Sequence, residues 1–345
     1  MNVVDQLWDE SVRAEGPALI TADGPVGRDE LRRRAESWRA GLAALGLGAG
    51  DRVVLVAGNG ELFVTAYLAV LGLGAVTVPL NPQAPLAELR REVDAVSPRA
   101  IIVAPGLGVG GAADSPLAGT DLVGPEVLVV DVDALGAAEP LAAQPVAGDA
   151  PAVLLFTSGT AGMPKPAVLT HDNLRAAMAS MVALPVELIG AGHVALAVIP
   201  LFHVFGLHTV VNLGLRIGAT LVVDDYRSPE QVATLVAEHG VTLLVGPPTM
   251  WQVLCRSEGI GPDTFASVRL ALSGAAKLDP ALRAEVSDRL GLQLDEGYGL
   301  TETCAVTASS VATGAPAGSV GHLMPGIEAR LVDADGDDVL VGDPG

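Results

Sequence analysis

Hydrophobic and polar positions divide most of the chain into alternating helical and strand-like segments. The amphipathic stretch 30–45 predicts a helix with an arginine-rich outer face, and the apolar run 52–57 predicts a buried strand. The alternation continues with helices at 61–71, 86–96, 172–183 and 229–239, an apolar helix ending at 217, and strands at 75–78, 100–104, 153–156, 194–199, 220–223 and 242–245. Continuous apolar strands between helices are typical of parallel sheets covered on both faces, so the pattern predicts an α/β fold.

Changes in composition predict three units along the chain. The segment 105–125 is rich in Gly, Ala and Pro and predicts an exposed loop, and 144–151 predicts a linker. We therefore expect a first α/β subdomain at 1–148, a second at 149–315, and the beginning of a smaller β-rich subdomain at 316–345. A β-like run at 327–332 would belong to that last piece.

Two long apolar stretches raise the question of membrane insertion. Residues 62–80 carry no charge but contain Gly72 and Gly74, and residues 193–223 contain Pro200 and several glycines. A buried helix followed by a buried strand explains both better than a membrane span. The beginning of the chain, MNVVDQLWDE, is acidic and unlike a signal peptide. We expect a cytoplasmic protein without membrane insertion.

Composition excludes several functional classes. The 345 residues include 40 acidic and 20 basic side chains, a formal net charge of −20, which argues against a nucleic-acid partner or an anionic membrane surface. Two cysteines are too few for a disulfide framework or a zinc site. The number and spacing of histidines indicate no metal site.

A glycine pattern at 106–111, GLGVGG, has the spacing of a dinucleotide-binding fingerprint and follows a strand-like run. That fingerprint requires a helix that begins at the last glycine and faces the pyrophosphate. The following residues, AADSPLAGTDLVGPE, contain two prolines and two glycines and cannot form one. The pattern therefore predicts an exposed loop rather than a dehydrogenase.

The strongest chemical signal is the segment 156–173, FTSGTAGMPKPAVLTHDN. Small hydroxyl and glycine residues follow the end of a buried strand, and Lys165 comes after them. Hydroxyls, open backbone N–H groups and a lysine can surround phosphate oxygens. Lys165 is one of only two lysines in the chain, so a simple glycine-rich turn does not explain it.

This loop resembles the phosphate-binding signature of the adenylate-forming superfamily, which contains acyl-CoA synthetases, adenylation domains of peptide synthetases and luciferases. Four further segments match in the expected order: PLFHVFGL at 200–207, SGAAKL at 273–278, EGYGLTET at 296–303 and GSVGHLMPG at 318–326. The resemblance covers nearly the whole chain. It implies two stacked, mostly parallel sheets with helices on both faces, a layered αβαβα arrangement.

The resemblance also implies activation of a carboxylic acid by ATP to an acyl-adenylate, followed by transfer to the thiol of coenzyme A or of carrier-protein phosphopantetheine. Catalytic roles would fall to Lys165, His203, Thr301 and Glu302, and Mg²⁺ would bind Glu302 with help from Thr160. The nucleotide would be held by Thr157, Ser158, Gly159, Thr160, Ala161, Gly162, Lys165, Gly274, Ala275, Ala276, Glu296, Gly297, Tyr298, Gly299 and Thr301.

The acid would lie against His203, which corresponds to the histidine at the mouth of the family's acyl pocket. Adenylation domains of peptide synthetases generally carry an aspartate there to hold an α-ammonium group, so His203 favours a plain carboxylic acid over an α-amino acid. The expected substrate contacts are His203, Val204, Phe205, Gly246, Trp251 and Leu300. Val211, Ala305 and Val306 are further candidates for an apolar pocket.

The sequence departs from the family pattern at three positions and in its length. Pro166 replaces a usual glycine, and Ala161 replaces a frequent hydroxyl residue. Lys277 stands where an apolar residue or proline is common. The family continues with a ribose-binding aspartate, a hinge and a small domain with a catalytic lysine beyond the last residue, Gly345. We therefore expect a truncated ligase with little activity, or alternatively a non-catalytic protein that binds a nucleotide or an acyl-adenylate. The acid, the thiol acceptor and the oligomeric state stay open.

Overall fold

The computed structural model contains two stacked sheets with helices between and outside them. It describes residues 1–8, 14, 16–105, 107, 122–124, 126–157, 165–184, 190, 192–333 and 335–339. The glycine pattern at 106–111 and most of the phosphate-loop candidates fall outside these residues.

The six-stranded sheet is parallel except for one edge strand. In spatial order its strands are β6 (Leu128–Val130), β5 (Ala100–Val103), β3 (Arg52–Val56), β4 (Val76–Leu80), β7 (Pro151–Phe156) and β8 (Pro166–Thr170). The last strand, β8, runs antiparallel to β7. The two form a hairpin in which Phe156 pairs with Pro166, so Thr157 lies at the carboxyl end of β7 and Lys165 directly before β8.

The nine-stranded sheet has a parallel centre and antiparallel ends. Its spatial order is β15 (His322–Leu323), β14 (Ala305–Ser309), β13 (Leu294–Leu300), β12 (Leu270–Ser273), β11 (Leu243–Gly246), β9 (Val194–Ala197), β10 (Thr220–Val223), β1 (Leu19–Thr21) and β2 (Gly24–Val26). The pairs β13–β14, β14–β15 and β1–β2 are antiparallel.

The helices predicted at 30–45, 61–71, 86–96, 172–183 and 229–239 are confirmed within two residues at each end. The described helices are α1 (Val4–Leu7), α2 (Arg28–Ala44), α3 (Glu61–Gly72), α4 (Leu86–Val96), α5 (Val132–Leu135), α6 (His171–Val182), α7 (Leu213–Arg216), α8 (Pro229–His239), α9 (Pro248–Arg256) and α10 (Pro280–Leu290). Of these, α1, α5, α9 and α10 were not predicted. A π-helix, Phe205–Asn212, runs directly into α7, and two 3₁₀ turns cover Pro262–Phe265 and Thr301–Thr303. The predicted apolar helix ending at 217 is therefore a π-helix for most of its length.

Three hydrophobic clusters confirm the layered arrangement. The largest cluster joins the inner faces of both sheets through α3, the π-helix and α7, which lie between them. A second cluster packs the outer face of the nine-stranded sheet against α8, α9 and α10. The third packs the outer face of the six-stranded sheet against α4. Alternating side chains of β9 show the division, because Ala195 and Ala197 face inward whereas Leu196 faces outward.

Sheet membership does not follow the predicted boundary near residue 149. Strands β7 and β8 lie in the first sheet because Thr77 of β4 pairs in parallel with Val153. Strands β1 and β2 lie in the second sheet because Leu19 pairs with Leu221 of β10. The division into three units therefore stays a prediction. The expected strand at 327–332 is not formed, because the side chains there are largely exposed and, among the residues that the structure describes, pair only through a single bridge, Val332 to Asp338.

The first long apolar stretch, 62–80, lies inside the protein, and the second, 193–223, is buried in β10 and most of β9 but exposed at Pro200 and His203. All residues from Phe63 to Gly72 in α3 are buried, since this helix lies between the sheets. Among the residues that the structure describes, none of the helices has the length and apolar character needed to cross a membrane.

Candidate functional site

An open cleft of about 600 Å³ lies where strands of both sheets end. Thr157 follows β7 of the first sheet, and Ile199, Pro247 and Gly274 follow β9, β11 and β12 of the second. Loops at the carboxyl ends of parallel strands are the usual place for ligands in α/β proteins. The fold thus brings segments more than one hundred residues apart in sequence to one surface.

The phosphate-loop candidates begin and end at the mouth of the β7–β8 hairpin. Thr157 lines the cleft, and Lys165 is exposed directly before β8. Strand β8 lies close to the 3₁₀ turn Thr301–Thr303, so the hairpin and this turn are neighbours. Ser158, Gly159, Thr160, Ala161 and Gly162 lie outside the described residues.

Gly274, Ala275 and Tyr298 form one wall of the cleft. Gly274 is packed against the Phe205 ring, since an added Cβ would stand 3.0 Å from Phe205 Cζ. Ala275 has a φ of +66°, a left-handed conformation that costs a non-glycine residue roughly 1–2 kcal/mol. The Tyr298 side chain is 49% exposed and offers a flat face to a ligand.

The antiparallel pairing of β13 with β14 contains a bulge, because its register shifts between Tyr298 and Gly299. A bulge of this kind changes the local direction of the strand. An added Cβ at Gly299 would lie 1.3 Å from the carbonyl oxygen of Ala305, so only glycine fits there. Cys304 and Ala305 also have positive φ values, 63° and 87°. Strained conformations of this kind cluster at ligand sites.

Thr301 and Glu302 lie on the lip of the cleft in the short 3₁₀ turn. The Thr303 hydroxyl holds this turn in place, because it donates to the Leu300 carbonyl at 3.0 Å and accepts from the Leu300 N–H at 3.0 Å. The Thr301 side chain is half-buried and the Glu302 carboxylate is exposed. A hydroxyl donor and a carboxylate therefore stand side by side next to the hairpin.

His203 and Phe205 also line the cleft, where the Phe205 ring packs against Gly274. The imidazole of His203 opens into the cleft, while the apolar walls around it desolvate the ring and lower its pKa below the usual range of histidine. A neutral imidazole is therefore favoured at neutral pH. Gly206 allows the chain to turn here, since an added Cβ would come within 2.4 Å of the Pro200 carbonyl oxygen.

Asn59, in the loop between β3 and α3, fixes the segment that leads to His203. Its side-chain amide donates to the carbonyls of Ile199 at 2.9 Å, Asp224 at 3.1 Å and Ala197 at 3.2 Å, and its Oδ1 accepts from Leu201 N–H at 3.0 Å. One side chain thus ties the end of a strand in the first sheet to β9 in the second. Sequence reasoning missed it, because an Asn between two glycines reads as a turn.

Four predicted contacts lie away from the open surface of the cleft. Trp251 is 0% exposed in the outer core, and its indole N–H donates to the Gly246 carbonyl at 3.1 Å. Gly246 is itself buried against Met250. Glu296 is 5% exposed, and its carboxylate accepts from the Leu278 N–H at 3.1 Å. Ala276 is exposed but does not line the cleft.

These placements separate the supporting residues from those that line the cleft. Trp251 and Gly246 stabilise the backbone next to Pro247, which lines the cleft. Glu296 stabilises the loop after β12 through its hydrogen bond. The sequence alone predicted these three residues as ligand contacts, because it does not record how deep a side chain lies. Val204, Leu300, Gly297, Ala305 and Val306 do line the cleft.

A cluster of buried polar side chains lies in the core, in and around the π-helix. Asn212 is fully buried, and its Nδ2 donates to the Tyr67 hydroxyl at 2.9 Å and to His208 Nδ1 at 3.1 Å. Desolvation lowers the pKa of His208 to about 4. It raises the pKa of the Tyr67 hydroxyl, and it raises the pKa of the Cys304 thiol to about 12. All four groups are therefore neutral at pH 7, so the cluster carries no buried charge.

The part of the chain that the structure describes holds no group of three or more His, Cys, Asp or Glu side chains able to enclose a metal ion. The Glu302 carboxylate on the cleft lip nevertheless fits Mg²⁺, which is commonly bound by one or two carboxylates together with the phosphates of a substrate.

Comparison with known proteins relates this arrangement to enzymes that use ATP. A sequence profile of the family described as AMP-binding enzyme matches residues 10–345. The chain is 32% identical to 4-coumarate–CoA ligase 5 of Oryza sativa subsp. japonica over 96% of its own length, but it spans only 64% of that protein.

The chain is also 26% identical to fatty acid–[acyl-carrier-protein] ligase ScoC of Streptomyces coeruleorubidus, with 94% of the chain and 64% of the relative aligned. Among solved structures, ATP-bound MatB from Rhodopseudomonas palustris superimposes with a TM-score of 0.88 at 28% identity, over 99% of this chain and 68% of that one. The fold is thus shared with a protein whose structure was solved with ATP bound.

Proposed function

The chain belongs to the AMP-binding enzyme family of the adenylate-forming superfamily, and on that premise we propose that it serves the ATP-dependent activation of a carboxylic acid to an acyl-adenylate. In this reaction a carboxylate oxygen attacks the α-phosphorus of ATP, and the bond to the β-phosphate breaks to release pyrophosphate. Two anions meet in this step, so donors and positive charge must be in place beforehand.

We assign the nucleotide to the side of the cleft formed by the hairpin and β13. Thr157 and Lys165, with Ser158, Gly159, Thr160, Ala161 and Gly162 between them, surround the β- and γ-phosphates. The Thr301 hydroxyl donates to the α-phosphate, and Tyr298 packs against adenine beside Gly274, Ala275, Gly297 and Gly299. Glu302, with Thr160, would hold Mg²⁺, which when bound neutralises phosphate charge.

The acid lies on the other side, between His203 and Leu300. Its carboxylate meets the α-phosphate near Thr301, and its apolar part faces Val204 and Phe205. A neutral His203 donates a hydrogen bond without adding charge, which suits a plain carboxylic acid. In the second half-reaction the acyl group passes to a thiol and AMP leaves. Coenzyme A or carrier-protein phosphopantetheine would supply that thiol.

The observation that carries this proposal is the convergence of four distant segments, at Thr157, His203, Gly274 and Thr301, on one cleft. Binding of ATP·Mg²⁺ tests it directly, by calorimetry and by the shift of thermal unfolding. A ligand at one hundred times its Kd stabilises the folded state by about 2.7 kcal/mol. Exchange of labelled pyrophosphate into ATP, with a panel of carboxylic acids, then tests adenylation.

Thr301→Val is the informative variant, because it removes the hydroxyl and retains the side-chain shape. Thr264→Val is its matched control, since Thr264 is also half-buried in a 3₁₀ turn but lies outside the cleft. We expect Thr301→Val to weaken ATP binding and exchange at least tenfold and Thr264→Val to change neither. Equal ATP binding by both variants would contradict the assignment. Binding without exchange would favour a non-catalytic nucleotide-binding protein.

A further inference from the structure

A second, narrower cavity of about 80 Å³ lies behind the cleft. It runs between the inner face of the nine-stranded sheet and the helix formed by the π-helix and α7. Val245 and Leu272 line it from the sheet, and Val210 and Leu213 line it from the helix. Val306 borders both this cavity and the cleft, so the two spaces meet at that residue.

The lining is apolar and carries no charge among the residues that the structure describes. Two hydroxyl residues contribute to it. The Ser309 hydroxyl already accepts from the Val311 N–H at 3.2 Å, and the buried Thr209 hydroxyl has no hydrogen-bond partner in the described part of the chain. Because an ionised group buried here would lose its hydration without a counter-charge, the cavity excludes a second carboxylate or an ammonium group.

The size of the cavity limits what can enter. A cavity of roughly 150 Å³ admits benzene, so one of about 80 Å³ has room for about half as much, on the order of three or four carbon atoms. An aromatic ring therefore does not fit into it, whereas the end of a flexible aliphatic chain does.

We propose that this cavity receives the end of an unbranched aliphatic tail, so that the acid is a straight-chain fatty acid whose last three or four carbons pass Val306. This inference rests on the proposed function, because it requires the carboxylate to lie in the cleft near His203. It narrows the substrate class to aliphatic acids without a charged or aromatic end.

The test uses adenosine 5′-sulfamate and its N-acyl derivatives as stable mimics of the acyl-adenylate. The acyl groups run from acetyl through butanoyl, hexanoyl, octanoyl and decanoyl, with 4-hydroxycinnamoyl as the aromatic member. Calorimetry on the full chain measures each Kd. We expect about a fourfold gain in affinity for each methylene that enters the cavity, and no further gain once it is full.

Two variants separate this pocket from the nucleotide site. Val210→Phe, at a residue that lines the cavity but not the cleft, fills the cavity and should abolish the gain with chain length, whereas adenosine 5′-sulfamate should bind as before. Leu213→Ala enlarges the cavity and should move the best chain length upward by one to three carbons, a gain that misfolding cannot imitate. Val129→Phe, on the exposed edge strand β6, is the control for added bulk.

The outcomes distinguish failure of the aliphatic assignment from failure of the proposed function. Binding of every adenosine ligand with no dependence on chain length, or tightest binding of the aromatic mimic, overturns the aliphatic assignment and retains the proposed function. Binding of no adenosine ligand overturns the proposed function. Free hexanoate and decanoate are titrated in parallel, and tighter binding of decanoate than of hexanoate to the wild type but not to Val210→Phe would still support the proposed cavity.

Discussion

Acidification should destabilise the protein through His208, which lies in the π-helix behind the cleft. Its Nδ1 accepts a hydrogen bond from Asn212, and burial lowers its pKa from 6.5 to about 4. If Nδ1 of His208 were protonated, its N–H would face the Asn212 amide, which is also a donor. The imidazolium would in addition carry a positive charge that no carboxylate among the described residues neutralises. The folded state therefore resists a proton that the unfolded chain accepts.

The sign and the size of the effect follow from the two pKa values. Above pH 6.5 both states hold a neutral imidazole, so the stability is fully present. As the pH falls below 6.5, the unfolded state binds more protons and stability decreases, until the folded state also titrates near its pKa of about 4. Each pH unit in this window costs about 1.4 kcal/mol, so His208 should remove about 2 kcal/mol by pH 5.

The assay is urea unfolding followed by tryptophan fluorescence, between about pH 7.5 and about pH 5. His208→Asn keeps an acceptor near Asn212 but does not titrate, so its loss of stability on acidification should be about 2 kcal/mol smaller than that of the wild type. Other groups, including His171, whose burial also lowers its pKa to about 4, contribute equally to both proteins and cancel.

Val211→Ala is the control, because it creates a cavity in the same π-helix without removing a titrating group. It should lower stability at every pH by a similar amount and leave the pH dependence of the wild type intact. If His208→Asn shows the same pH dependence as the wild type, His208 is protonated or hydrated in the native protein, and the buried neutral cluster is refuted.

Three further predictions concern the architecture of the cleft. Gly299→Ala should cost more than 2 kcal/mol and abolish ATP binding, because its Cβ would overlap the Ala305 carbonyl. Gly297→Ala, whose Cβ has its nearest neighbours at 3.8 Å, should lower the Tm far less, and equal losses would contradict the bulge argument. Asn59→Ala should cost about 2–4 kcal/mol in urea unfolding, because it removes the partner of the part-buried Ile199 carbonyl and Leu201 N–H. It should also weaken acid binding, and an unchanged acid Kd would deny its positioning role. Ala275→Gly should raise stability by about 0.5–1 kcal/mol through relief of its positive φ, and a decrease in Tm would show that the strain is absent.

Local sequence signals determined the helices and most strands of this protein. Helix α8 begins after Ser228, whose side chain accepts from the Gln231 N–H at 3.2 Å, and ends at Gly240 in the left-handed conformation. Such caps act within a few residues, so a linear pattern contains them. For the same reason, the motif segments at strand ends were identified from the sequence, and Tyr298, Thr301 and His203 do line the cleft.

Only the tertiary structure decided which sheet each strand joins and how deep each side chain lies. Strand β1 pairs with a strand two hundred residues later in the chain, and no local period records that choice. The sequence pattern grouped Trp251 with the pocket residues, but packing against α10 and the outer core buries it. The role of Asn59 is visible only in the tertiary structure, because its hydrogen-bond partners belong to the other sheet. The sequence thus determined elements and motifs through contacts a few residues apart, whereas the cleft and its tail cavity depend on distant segments packing together.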